Sequence, residues 1–157
     1  MKKSMLLVAL VFCLAACGSS EVVREARKTI NGDWVLASVE YPQNAGSVNV
    51  NLLSDESAGC FENSSWNFIS NNNTGTYQLG GTECPEEPRF FTWAVEEAGA
   101  NEYFLTLKPT DSRQNSNMDN QGFRLVLSDL TQDRMVWEQT IRFEGSPFTI
   151  RMNFIKN

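Results

Sequence analysis

Two kinds of side chain in this 157-residue sequence have types and spacing that could do chemistry: paired carboxylates and cysteines. Histidine is absent, which removes the commonest general base and the commonest zinc ligand together. Glu86-Glu87 and Glu96-Glu97 are adjacent acids. Carboxylate pairs cleave glycosides only when held a few ångströms apart across a cleft; on loops and strand ends they keep a surface hydrated. Ser146 lacks the G-x-S-x-G turn of a hydrolase nucleophile. Asp111 and Asp119 lie among asparagines without the spacing of a calcium loop. The expectation is a protein with no catalytic residue, no metal and no cofactor, and hence not an enzyme.

Cysteine chemistry is placed more firmly. Lys2 and Lys3 precede an apolar run from Met5 to Ala16, the charged and apolar regions of an export signal. The run falls short of the ~20 residues needed to cross a bilayer. Its end, Leu14-Ala15-Ala16-Cys17, resembles the lipobox of bacterial lipoproteins. That resemblance implies removal of residues 1–16 as a signal peptide, acylation of Cys17 with palmitate-type chains, and a membrane anchor. Several chains hold stably where one is marginal. Gly18 stands where an inner-membrane retention aspartate would be, so the expected location is the cell envelope, at the outer membrane. Loss of Lys2 and Lys3 makes the formal charge still more negative than −6, which argues against nucleic acid and against anionic head groups as partners.

Cys60 and Cys84 remain. In an oxidising compartment an even pair reads as a disulfide. Closing a loop of about 25 residues would stabilise the fold by roughly 3–4 kcal/mol. Two free buried thiols are the alternative; a redox or metal role lacks the C-x-x-C spacing.

The elements that must position these groups are strands. Residues 17–29 are polar and charged and read as a tether with at most a brief helical turn. Beyond them, β-branched and aromatic runs alternate with Asn, Gly, Ser, Asp and Pro. Strands are expected at 33–41, 47–53, 65–70, 74–80, 89–97, 102–108, 122–129, 133–143 and 147–156. Several connections are only three to five residues long, which suits antiparallel neighbours and not parallel ones. An all-β antiparallel meander of about eight to nine strands closes as an up-and-down barrel or stacks as a sandwich. Period-two alternation puts Met135, Trp137, Ile141 and Phe143 on one face and Glu138, Thr140 and Arg142 on the other. The apolar face is therefore inside, the reverse of a membrane barrel with its polar lumen.

Gly32-Asp33-Trp34 at the first strand resembles the G-x-W motif of lipocalins, whose tryptophan plugs the closed base of an eight-stranded calyx. The runs Cys60-Phe61-Glu62, Ser65-Trp66-Asn67-Phe68, Asn72-Asn73-Thr74-Gly75-Thr76-Tyr77 and Phe143-Glu144-Gly145 with Pro147-Phe148 are similar to a pattern of bacterial lipocalin-like lipoproteins. The resemblance implies a lipocalin-like β-barrel domain over residues 30–157, with Gly32 and Trp34 at its base. Lipocalins also carry a late arginine over this tryptophan; Arg142 and Arg151 are the candidates, although both fall on the polar face.

Fold does not by itself grant function. Trp66, Phe68, Tyr77, Phe91, Trp93, Leu105, Leu125, Trp137 and Ile150 share the inward parity and either line a pocket or fill it. The first reading is a membrane-anchored protein carrying a small hydrophobic ligand in the barrel. The second is a non-catalytic envelope lipoprotein that meets a protein partner through its loops, chiefly 109–121. A third, resemblance to META-type β domains, shares the early Gly-x-Trp and predicts a strand order that is not a simple meander.

Overall fold

The computed structural model describes residues 19–43, 48, 50–99 and 102–157. Eight strands run in chain order: β1 (Gly32–Glu40), β2 (Ser65–Ile69), β3 (Thr74–Gln78), β4 (Arg89–Gly99), β5 (Glu102–Thr110), β6 (Phe123–Leu130), β7 (Arg134–Phe143) and β8 (Ser146–Lys156). Every neighbour in sequence is a neighbour in the sheet, and β8 pairs with β1 to close the barrel. Consecutive order removes the META-type alternative, and closure removes the sandwich. No strand edge is left to pair with another chain.

The strand expected at 47–53 does not form. Among its described residues Asn51 makes one isolated bridge, to Ser57. Leu53 and Ser54 both take φ of 52°, which ends an extended run. Val50, Leu52 and Leu53 are nonetheless buried. They turn inward as part of a lid, so an alternating apolar pattern here marks burial without a ladder.

The stretch expected as a tether also differs. Helix α1 (Glu21–Ile30) is capped by Ser20, whose side chain accepts from the Val23 N–H. Val23, Ala26 and Ile30, spaced for one helical face, are buried in the same core as the barrel. This helix closes the end of the barrel from which β1 starts, hereafter the floor. Cys17 and the signal segment lie outside the described residues.

Core packing runs the length of the barrel. Trp34, Trp66, Phe68, Phe91, Trp137 and Phe154 are all at most 2% exposed. Trp66 is their hub: ring centroids lie 4.3 Å from Tyr77, 5.4 Å from Trp137, 5.6 Å from Phe154 and 5.7 Å from Phe91. Such offset and edge-on pairs add to burial. Gly75 makes room for this: a Cβ there would sit 2.3 Å from the Phe91 ring and 2.6 Å from the Asn67 carbonyl.

Candidate functional site: the mouth of the barrel

The two ends of the barrel are built differently. At the floor, Trp34 donates through Nε1 to the Ile30 carbonyl at 2.7 Å. Gly32 opens β1 with φ of 113°, a conformation open to glycine. The cation over Trp34 is neither Arg142 nor Arg151. It is Lys156, with Nζ 5.0 Å from the ring centroid and donating to the Thr29 carbonyl at 2.7 Å. Arg151 instead pairs with Glu138 on the outer face at 2.8 Å, and Arg142 is exposed. A signal for Lys156 existed, since the inward parity of Phe148, Ile150, Met152 and Phe154 reaches it two residues on. Arg27 donates from Nη2 to the Ser70 carbonyl and to Asn73 Oδ1, tying α1 to the β2–β3 turn.

At the mouth, the excursion between β1 and β2 folds over the barrel. It carries the short helix α2 (Ala58–Phe61), and Phe61 is fully buried. Two fastenings hold it. One is the Cys60–Cys84 disulfide, with a Cα separation of 5.7 Å, as the sequence led us to expect. The other centres on Asp55. Its carboxylate accepts from the Tyr77 hydroxyl at 2.8 Å and from Arg89 Nε and Nη2 at 2.9 and 3.2 Å. Arg89 Nη1 also donates to the Glu87 carbonyl at 2.6 Å. Burial first, and then the bond to Asp55, push the Tyr77 phenol far above its usual range. The Asp55 bond likewise raises the Arg89 guanidinium. Tyr77 is therefore a neutral donor and Arg89 a fixed cation at any physiological pH.

The residues expected to line a ligand site all face inward. Trp66, Phe68, Phe91, Trp93, Leu105, Leu125, Trp137 and Ile150 are at most 2% exposed and belong to one continuous core. Trp93 bonds the Thr74 carbonyl through Nε1 at 2.9 Å. Tyr77, 5% exposed, also lines an open cavity at the mouth. This cavity is a groove of about 550 Å³ over the mouth rim, where β4 begins and β5 ends, within the size range of small-molecule sites. Its walls are Leu53 and Asp55 of the lid, Tyr77, Glu87 to Phe90, Pro109 to Ser112, and Asn117 with Met118.

Sequence reasoning missed this groove. Most of its residues come from connections and strand ends, where parity says little, and Pro109 and Asp111 fall where the sequence predicts a polar loop. The acidic pairs fall at opposite ends. Glu86 and Glu87 edge the mouth, while Glu96 lies 3.7 Å from Arg124 and Glu97 accepts from Ser20 near the floor. Among the described residues, no three acids or cysteines gather as a metal site.

Comparison with known proteins adds one match. A family model described as a lipocalin-like domain covers residues 30–137, from the last residue of α1 to the middle of β7. No curated protein matches the chain. The closing strand β8 lies beyond the matched range, yet its pairing with β1 and β7 completes the barrel.

Proposed function

The chain belongs to the family of lipocalin-like domains, and from that premise we propose that it is an envelope lipoprotein, anchored through Cys17, that holds a small ligand at the mouth of its barrel. The anchor rests on the export signal and the Leu14-Ala15-Ala16-Cys17 run. The binding reading rests on one observation: an open groove of about 550 Å³ at the mouth of a barrel whose depth is packed by its own rings. A hydrophobic ligand lying deep among Trp66, Phe91 and Trp137 would have to displace these contacts, each pair contributing about 0.5–1.5 kcal/mol. At the rim, an apolar body can rest on Phe90, Pro109 and Met118 without that cost. The reading as an interaction module without a small ligand is favoured by the same packed interior, and one experiment separates the two.

Methionine methyl resonances provide it. Met118 lines the groove, whereas Met135 and Met152 are buried in the core. Titration of the protein with 4-phenylbutanol, a small apolar alcohol, should move the Met118 methyl and leave the other two in place. Movement of Met135 and Met152 instead would restore a deep calyx. No movement of any would favour the protein-partner reading. For the anchor, Cys17→Ser should shift the chain from the membrane to the aqueous fraction and abolish the acyl mass on the N-terminal peptide. Membrane retention of that variant would sink it.

A further inference from the structure

The groove has a chemical bias that its size does not reveal. Its lining carries three carboxylates, Asp55, Glu87 and Asp111, against one guanidinium, Arg89. Arg89 is used up by Asp55, which it grips through two nitrogens. Glu87 has no ion-pair partner among the described residues and is exposed. Asp111 accepts from the Arg113 and Asn115 N–H groups at 2.8 Å each, and from Asn115 Nδ2 at 2.9 Å. These bonds, Asn115 foremost, hold its carboxyl below the usual range, so it stays ionised. Counted against Arg89, the groove therefore carries a net excess of two negative charges.

A second observation is independent of charge. Thr110, at the end of β5, lines the same groove and is 6% exposed. Its hydroxyl oxygen is buried and lacks a hydrogen-bond partner. A buried hydroxyl left unpaired costs free energy, so such groups generally have a partner when a protein works.

We infer that the mouth groove takes a small organic cation bearing an apolar group, its ammonium countered by Glu87 and Asp111 and hydrogen-bonded by the Thr110 hydroxyl, its apolar part on Phe90, Pro109 and Met118. This deepens the mouth-groove reading and rests on it. A fatty carboxylate, by the same argument, is disfavoured: it meets like charge, and the nearby cation is already engaged. An ammonium supplies the donor that the Thr110 oxygen lacks and gains most where water is partly excluded.

The test uses three compounds of one shape: 4-phenylbutylamine, 4-phenylbutanol and 4-phenylbutyrate, each titrated against the protein with the Met118 methyl as reporter. The amine should bind tightest, roughly tenfold better than the carboxylate at low ionic strength, with the alcohol between. About 0.5 M salt should narrow that gap as screening shortens the reach of Glu87 and Asp111. Glu87→Gln should weaken the amine several-fold and leave the alcohol unchanged. Thr110→Val should weaken the amine while leaving the melting midpoint unchanged or higher, since it removes an unpaired hydroxyl. Equal binding of the three compounds, or a preference for the carboxylate, overturns the cation inference and leaves the groove reading intact. Failure of all three at Met118 overturns the groove reading itself.

Discussion

The floor and the mouth of this barrel solve one problem, closing an end, by opposite means. Connections at the floor are short: residues 70–73 and 131–133 join their strands directly. Helix α1, which directly precedes β1, covers what remains, held by bonds to backbone carbonyls from Trp34, Arg27 and Lys156. Three connections at the mouth are long, 41–64, 79–88 and 111–122, and only the β7–β8 turn there, 144–145, is short. Each long loop costs more entropy to order than a tight turn; in 111–122 the Asp111 and Ser116 side chains accept several local bonds. The mouth is accordingly cross-linked, by the disulfide and by the Asp55–Arg89–Tyr77 cluster. Short turns leave a floor that one helix can cover; long loops leave room for a groove, and the lid among them is stapled.

The sharpest way to break this contrast is to remove the floor's central ring. Trp34→Ala deletes a side chain only 1% exposed, with an expected loss of about 3–5 kcal/mol in denaturant unfolding. A loss below about 1 kcal/mol would show that α1 and the strands close the floor without it.

Next comes the staple. Cys60→Ser with Cys84→Ser should cost roughly 3–4 kcal/mol on the chain-entropy estimate, with barrel circular dichroism retained. Unchanged stability would mean that the lid is already ordered in the unfolded ensemble.

Asp55→Ala strands a buried phenol and a half-buried guanidinium, for an expected loss of about 1–3 kcal/mol. In the same variant the Tyr77 phenol should titrate at lower pH than in the parent, as two of the influences raising it go with Asp55. Absorbance at the tyrosinate band reads this directly, and an unshifted phenol would place the cause in burial alone. At the floor, Lys156→Met removes one bond to Thr29 and one cation from Trp34. The loss should be roughly 1 kcal/mol, smaller than that of Asp55→Ala because no buried group is abandoned.

The smallest effect is local. The folded Asp111 carboxyl is lowered, so its contribution is complete above the ordinary carboxylate value of about 3.9 and fades as pH falls through the lower folded value. Amide protection at Arg113 and Asn115 should therefore decline below about pH 4, while protection in β7 and β8 persists. Joint loss at all four places would tie the loop to the sheet.

Strand order, closure and the inward face were legible because a meander of antiparallel strands writes its burial in period two. Met135 with Trp137, and Phe148, Ile150, Met152 and Phe154, lie inside as their spacing demands, whereas Phe143, at the mouth end of β7 on the same parity, is exposed. Three features escaped. Val50 and Leu52 carry the same period but belong to a lid, since burial sets the pattern and pairing does not. The α1 helix is announced by Ser20 and the spacing of Val23, Ala26 and Ile30, signals masked by its many charges. The groove is built from three connections and the ends of three strands, and no local pattern encodes such a meeting. Parity also gives direction without volume. It says that Trp66 points in, and only the ring distances say that it touches Tyr77, Phe91, Trp137 and Phe154.

One consequence follows from where α1 begins. Ser20, its cap, bonds Glu97 beside the floor, so the helix begins at the sealed end. An anchor of the kind proposed at Cys17 would moor the vessel by its keel and leave the rim, with its groove, at the opposite end.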